Sequence, residues 1–177
     1  MGATAMARHS IAFGKVEHVI RRRTFGSLST LSRAGLPHAT AVVYAVSAPS
    51  HPLMLYVTTR TTTVKATNIR NCPEVAFVIP VPRRTIPLFP PAAVQFQATA
   101  IIVDSEDTAA LAAFQSTWFH RRILRAEHRI VSEAGEMCFI AIRPHRTLST
   151  YGIGTSARSI LRRPRQAISR VDLPPHR

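Results

Sequence analysis

Thr58, Thr59, Arg60, Thr61, Thr62, Thr63 and Lys65 crowd hydroxyl and cationic donors into one short stretch, directly after the apolar run Leu55-Tyr-Val. Val64-Lys-Ala-Thr-Asn-Ile-Arg follows with a helical pattern. A donor-rich turn that enters a helix suits an anionic ligand, because the orphan backbone N–H groups and the helix dipole point the same way. The chemistry this predicts is capture of a phosphate, with each charge-assisted bond contributing about 1.5–3 kcal/mol to affinity. No paired carboxylates and no His–acid signature accompany the cluster, so no residue is assigned as an obligatory acid or base. Cys72 and Cys138 lie far apart without ligand spacing and read as ordinary thiols, and no zinc pattern occurs.

The elements that must position these donors follow from periodicity and turn chemistry. Ser10 to Arg23 reads as a short amphipathic helix. Phe25 to Leu31, His38 to Val46 and Leu53 to Thr58 read as strands, the third ending at the donor cluster. Thr62 to Arg70 is helical and closes at Asn71-Cys-Pro. Glu74 to Pro80 is a fourth strand, and the proline-rich Pro80 to Pro91 reads as a loop that does not pair inside a sheet. Ala93 to Val103 is a fifth, long strand. Asp104-Ser-Glu-Asp starts a helical pattern running towards Arg129, and Met137 to Ile142 is a sixth strand. Six strands with short helices predict a mainly β (α+β) chain, an antiparallel barrel with helices outside it, rather than a doubly wound sheet. Residues 1–23 are the lead-in helix, 24–151 the barrel, and 152–177 a basic tail that is either a helix with a loose end or wholly extended.

Composition narrows the partners. The 177 residues fit one domain by length, and 23 Lys+Arg against 9 Asp+Glu give a net charge of +14. Such a field attracts nucleic acid, acidic lipid heads and phosphorylated cofactors alike. The basic runs Arg21-Arg-Arg, His120-Arg-Arg and Arg162-Arg-Pro-Arg carry neither interleaved aromatic platforms nor a helix-turn-helix pattern, so no specific nucleic-acid partner is expected. Ile160, Leu161 and Ile168 among the tail arginines fit a weak contact with an anionic membrane. No signal-peptide core, membrane-length apolar run or myristoylation signal is present, and a cytoplasmic protein is expected. Other side chains have plainer expectations. His38 and Tyr44 alternate on a half-exposed strand surface. Phe114, Trp118 and Phe119 pack in the core or between subunits. Tyr151, beside Gly152 and Gly154, sits in a turn or caps the cleft.

Three segments resemble the pyridoxamine-phosphate-oxidase-like split β-barrel superfamily, over about residues 10 to 151. They are Gly26-Ser-Leu-Ser-Thr-Leu-Ser-Arg-Ala-Gly-Leu-Pro-His-Ala-Thr, Leu55-Tyr-Val-Thr-Thr-Arg…Val-Lys-Ala-Thr-Asn-Ile-Arg-Asn-Cys-Pro-Glu-Val-Ala-Phe, and Val94-Gln-Phe-Gln-Ala-Thr-Ala. The middle one is the most specific. The resemblance implies a split-barrel homodimer, with a cofactor held in clefts between subunits. The implied cofactor is FMN, with the deazaflavin coenzyme F-420 and haem as the alternatives found in this fold. Thr58 and Thr59 match the end of the family's third strand, and Thr63 and Lys65 its phosphate-side Ser and Lys. Arg60 matches an arginine of the deazaflavin-using branch, and Gln95 or Gln97 a glutamine that reaches the ring. The implied function is hydride transfer to or from a small organic substrate. The rival class is a split barrel that binds flavin, haem or lipid without turnover. Two departures matter: Thr40 and Val64 stand where pyridoxamine phosphate oxidases carry arginines, and their Arg-Leu-Ala-Pro ending is absent. The vitamin substrate therefore does not carry over.

Overall fold

Alternation of small polar and apolar residues builds the sheet in the computed structural model, which describes residues 12–82, 91–129, 135–154, 162 and 167–174. The first helix, α1 (Phe13–Arg22), is followed by strands β1 (Phe25–Leu31), β2 (Pro37–Val43), β3 (Ala45–Val46) and β4 (Leu55–Arg60). Helix α2 (Val64–Asn71), β5 (Glu74–Val81) and β6 (Ala92–Asp104) come next. Then come α3 (Thr108–Gln115), α4 (Trp118–Arg129), β7 (Met137–Pro144), β8 (Thr147–Tyr151) and β9 (Ile168–Asp172). Every pairing is antiparallel, in the order β2-β1-β5-β6-β7-β4-β3, with β8 pairing β6 and β9 pairing β8.

The sheet curls around a core that includes Leu28, Leu55, Phe77, Val94, Phe96 and Ile142. Phe77 stacks on Phe96 at 5.7 Å and meets the edge of Tyr44 at 5.5 Å. Its ring lies so close to β1 that a Cβ on Gly26 would come within 2.4 Å of it, so only glycine fits there. A second cluster on the outer face packs α3 and α4 against β4 and β7 through Tyr56, Phe114, Leu124, Phe139 and Ala141.

The mainly antiparallel α+β architecture expected from periodicity is present, with four differences in detail. The sheet holds nine strands among the described residues rather than six. The expected second strand is interrupted at Tyr44, which is fully buried instead of half-exposed and donates its hydroxyl to the Ile20 carbonyl at 2.8 Å. The helical pattern from Asp104 to Arg129 is two helices, because the Thr117 hydroxyl accepts from the His120 N–H at 3.2 Å and starts α4 afresh. Trp118, expected in packing, is 65% exposed in this chain, with the Arg122 guanidinium 5.9 Å from its ring centre. The arginine-rich tail contributes β9, whose Ala167, Ser169 and Val171 are buried while Ile168 and Arg170 face outward. Ile160 and Leu161 lie outside the described residues, as does most of the proline-rich loop. No helix among the described residues is long and apolar enough to cross a membrane.

Candidate functional site

The threonine-rich bend is a hydrogen-bonded unit. Thr63 is the N-cap of α2 and spends its single hydroxyl proton on the Arg60 carbonyl at 2.9 Å. Its oxygen therefore accepts from the Thr59 hydroxyl at 2.9 Å and from the Ala66 N–H at 3.4 Å. The N–H groups of Val64 and Lys65, in the first turn, have no intrahelical acceptor. The bend leans on residues 135 and 136: the Thr61 N–H donates to the Glu136 carbonyl at 2.9 Å. Gly135 holds φ +85, and a Cβ there would meet Thr62 Cγ2 at 2.7 Å, so this approach requires glycine.

The two cations of the bend have opposite fates. Arg60 is 9% exposed and committed inside the protomer. Its guanidinium donates to the Gly135 carbonyl at 3.2 Å and to the Glu127 carbonyl at 2.8 Å, and it pairs with the Glu127 carboxylate at 3.5 Å. Arg60 thus pins the end of α4 to β4. Lys65 is half-buried, yet its ammonium forms no hydrogen bond or ion pair with any described residue. Burial pushes its ammonium below the usual lysine range, and Glu127, already engaged by Arg60, offsets that only in part. A half-desolvated, unpartnered cation beside a helix N-terminus fits the anionic end of a phosphorylated cofactor. The cleft of about 700 Å³ on the Arg60 side does not, because Asp104, Glu127 and Glu136 line it. Cys138, in the same wall, is buried, and burial raises its thiol pKa although Arg70, Lys65 and Arg60 pull the other way.

Thr58, Thr59, Arg60, Thr63 and Lys65 are brought together; Gln95 and Gln97 are not. Both glutamines point to the exposed outer face of β6, so strand parity does not separate them. Thr58 pairs with Phe139, and Phe139 with Val103. Gln97 is six residues from Val103 along β6, roughly 20 Å away. Within one protomer the bend and the glutamines cannot touch one small ring. The glutamines instead belong to an exposed, uncharged patch with Ser29, Ala39, Ala41 and Ala76 on the neighbouring strands.

Sequence reasoning missed a groove of about 980 Å³ between α3, the β3–β4 loop and the outer face of β6 and β7. Its walls come from segments far apart in the chain, and no local motif marks them. His120 lines it and holds its wall: Nε2 donates to the Tyr44 carbonyl at 2.9 Å, and Nδ1 accepts from the Thr117 hydroxyl at 2.9 Å. Burial keeps this imidazole below the usual histidine range.

Residues 13–151 match the sequence profile of the pyridoxamine 5'-phosphate oxidase family. No curated protein matches the chain. The fold is similar to that of HutZ, the haem storage protein from Vibrio cholerae, with TM-score 0.62 at 16% identity over 80% of this chain and 96% of that one. It is similar to a haem-binding protein from Mycobacterium smegmatis, with TM-score 0.63 at 16% identity, over 89% of this chain and 56% of that longer one. It also resembles a pyridoxamine 5'-phosphate oxidase-related, FMN-binding protein from Nostoc punctiforme, with TM-score 0.58 at 16% identity over 92% and 96% of the two chains. At these identities the structural likeness establishes the fold.

Proposed function

Because the chain belongs to the pyridoxamine 5'-phosphate oxidase family, we propose that it is an FMN-dependent oxidoreductase acting on a small organic substrate. The observation that carries this is Lys65, half-desolvated and unpartnered at the start of α2. Lys65 and the N–H groups of the first turn hold the phosphate, and Thr63, its proton given to the Arg60 carbonyl, serves by capping the helix that presents them; Thr58 and Thr59 fix the strand end near the ring. Arg60 serves this site indirectly, by keeping the bend and α4 in place. When bound, the flavin supplies hydride transfer, and the protein supplies position and field.

The separation of the bend from Gln95 and Gln97 supports a homodimer in which each site takes its glutamine from the partner subunit. The uncharged outer patch, in a chain of net charge +14, is the surface suited to that contact. Coenzyme F-420 is the second candidate for the same phosphate seat. A haem carrier without turnover is the rival reading, favoured by the haem-binding proteins among the structural relatives.

The test is spectral and quantitative. FMN titrated into the purified protein should bind saturably, and reduced nicotinamide should bleach the bound flavin reversibly. Lys65→Ala should weaken FMN about 10- to 100-fold, the worth of one charged hydrogen bond, with the thermal midpoint unchanged. A haem spectrum with no flavin affinity, or FMN affinity untouched in Lys65→Ala, would sink the proposal.

A further inference from the structure

We propose that the groove under α3 binds a linear alkyl carboxylate, at a site separate from the phosphate-holding bend. The groove exists because of what α3 lacks. Thr108, Ala109, Ala112, Ala113 and Ser116 face it, so the layer between helix and sheet carries no large side chain there. Helix and sheet layers are normally packed to crystal-like density. Here the floor is Ile101, Ala141 and Met54, and Ile101 is 55% exposed towards the C-terminal end of β6. That is an apolar floor left open by the described residues.

The charge on the groove has one sign. Arg21, Arg23 and Arg143 line it, and no Asp or Glu among the described residues does. Arg21 is engaged by Glu17 at 2.7 Å and by the Ser47 carbonyl. The guanidinium groups of Arg23 and Arg143 form no hydrogen bond or ion pair with any described residue. An apolar floor with uncompensated guanidinium groups is complementary to an apolar body bearing one anionic group. The lining on α3 runs from Thr108 to Ser116, about 12 Å of helix. Among the described lining residues Tyr56 is the only Phe, Tyr or Trp and is buried in the outer cluster, so they offer a flat ring no open stacking platform, whereas an extended chain fits the length. The far wall is preformed: the Ser47 N–H donates to the Met54 carbonyl at 3.0 Å, and the Ser47 hydroxyl accepts from the Met54 N–H at 3.1 Å while donating to the Pro52 carbonyl at 2.8 Å. The volume is within the range of small-molecule sites.

Calorimetric titration of the full-length protein with dodecanoate and with dodecanol tests this. Dodecanoate should bind saturably and about tenfold or more tightly than dodecanol, reflecting the guanidinium contact. Arg143→Ala should remove most of that preference. Ala112→Phe, at an exposed helix position, should fill the groove and lower affinity for both probes by about tenfold or more with helix content intact. Binding should persist unchanged at saturating FMN. No saturable binding, equal affinity for the alcohol, affinity unchanged in either variant, or competitive displacement by FMN would each overturn the proposal. Displacement by FMN would place the flavin here and so would also count against Lys65, whereas the other three outcomes leave the flavin reading standing.

Discussion

The Thr58–Lys65 bend and the α3 groove invite anions by different means. In the bend, small hydroxyl side chains satisfy one another, one cation is spent on carbonyls, and the second is left half-buried without a partner. In the groove the polar groups are sparse, the floor is aliphatic, and unpaired guanidinium groups stand beside it. The first arrangement recognises a compact, highly charged group; the second recognises an extended apolar body with a charge at one end. The lesson is that the net charge of +14 decides little by itself. Desolvation and what lies beside each cation decide which anion it accepts.

Mutation of the bend gives the largest expected effect and separates its two cations. Arg60→Ala should destabilise the fold by about 3 kcal/mol, since it strands the Glu127 and Gly135 carbonyls and the Glu127 carboxylate. Lys65→Ala should move the denaturant midpoint by no more than about 0.5 kcal/mol, so equal losses in the two variants would break the contrast. The groove wall should respond to acid. His120 has its folded pKa lowered by burial. The unfolded chain therefore binds the proton first as pH falls, and this contribution is complete above about 6.5 and lost below it. The slope should reach at most about 1.4 kcal/mol per pH unit, and His120→Gln should flatten that part of the stability–pH profile. Tyr44→Phe, which removes the buried bond to Ile20, should cost about 1 kcal/mol in chemical denaturation. Trp118→Ser should have the smallest effect, below about 0.5 kcal/mol, because the ring is exposed. A shift in dimer dissociation in that variant would place Trp118 in a subunit contact.

The bend was legible because it is local: strand, donors and helix are consecutive, although the helix expected from Thr62 starts at Val64, with Thr63 as its cap. The sheet was legible through alternation, as in Ala93 to Val103, where Val94, Phe96 and Ala98 turn inward. Arg60 was not, since its partners Glu127 and Gly135 are more than sixty residues away in the chain. Gln95 and Gln97 share a face by parity, but only the pairings of β6 with β7 and β7 with β4 reveal their distance from Thr58. Tyr44 carries a polar tip that suits a half-exposed strand, yet its hydroxyl finds the Ile20 carbonyl and the ring is buried. The tail's arginines hid the alternation of Ala167, Ser169 and Val171, which is the pattern of a strand.

That last strand bears on how molecules behave towards one another at high concentration. Strand β8 would present a row of bare amide and carbonyl groups, a template for edge-to-edge zipping between copies, were Ile168–Asp172 not hydrogen-bonded along it. The replacement edge is short and sets Arg170 and Asp172 outward, which discourages another chain from adding itself. Removing the residues after Tyr151 should therefore convert the protein into an aggregating one, without loss of any residue of the bend.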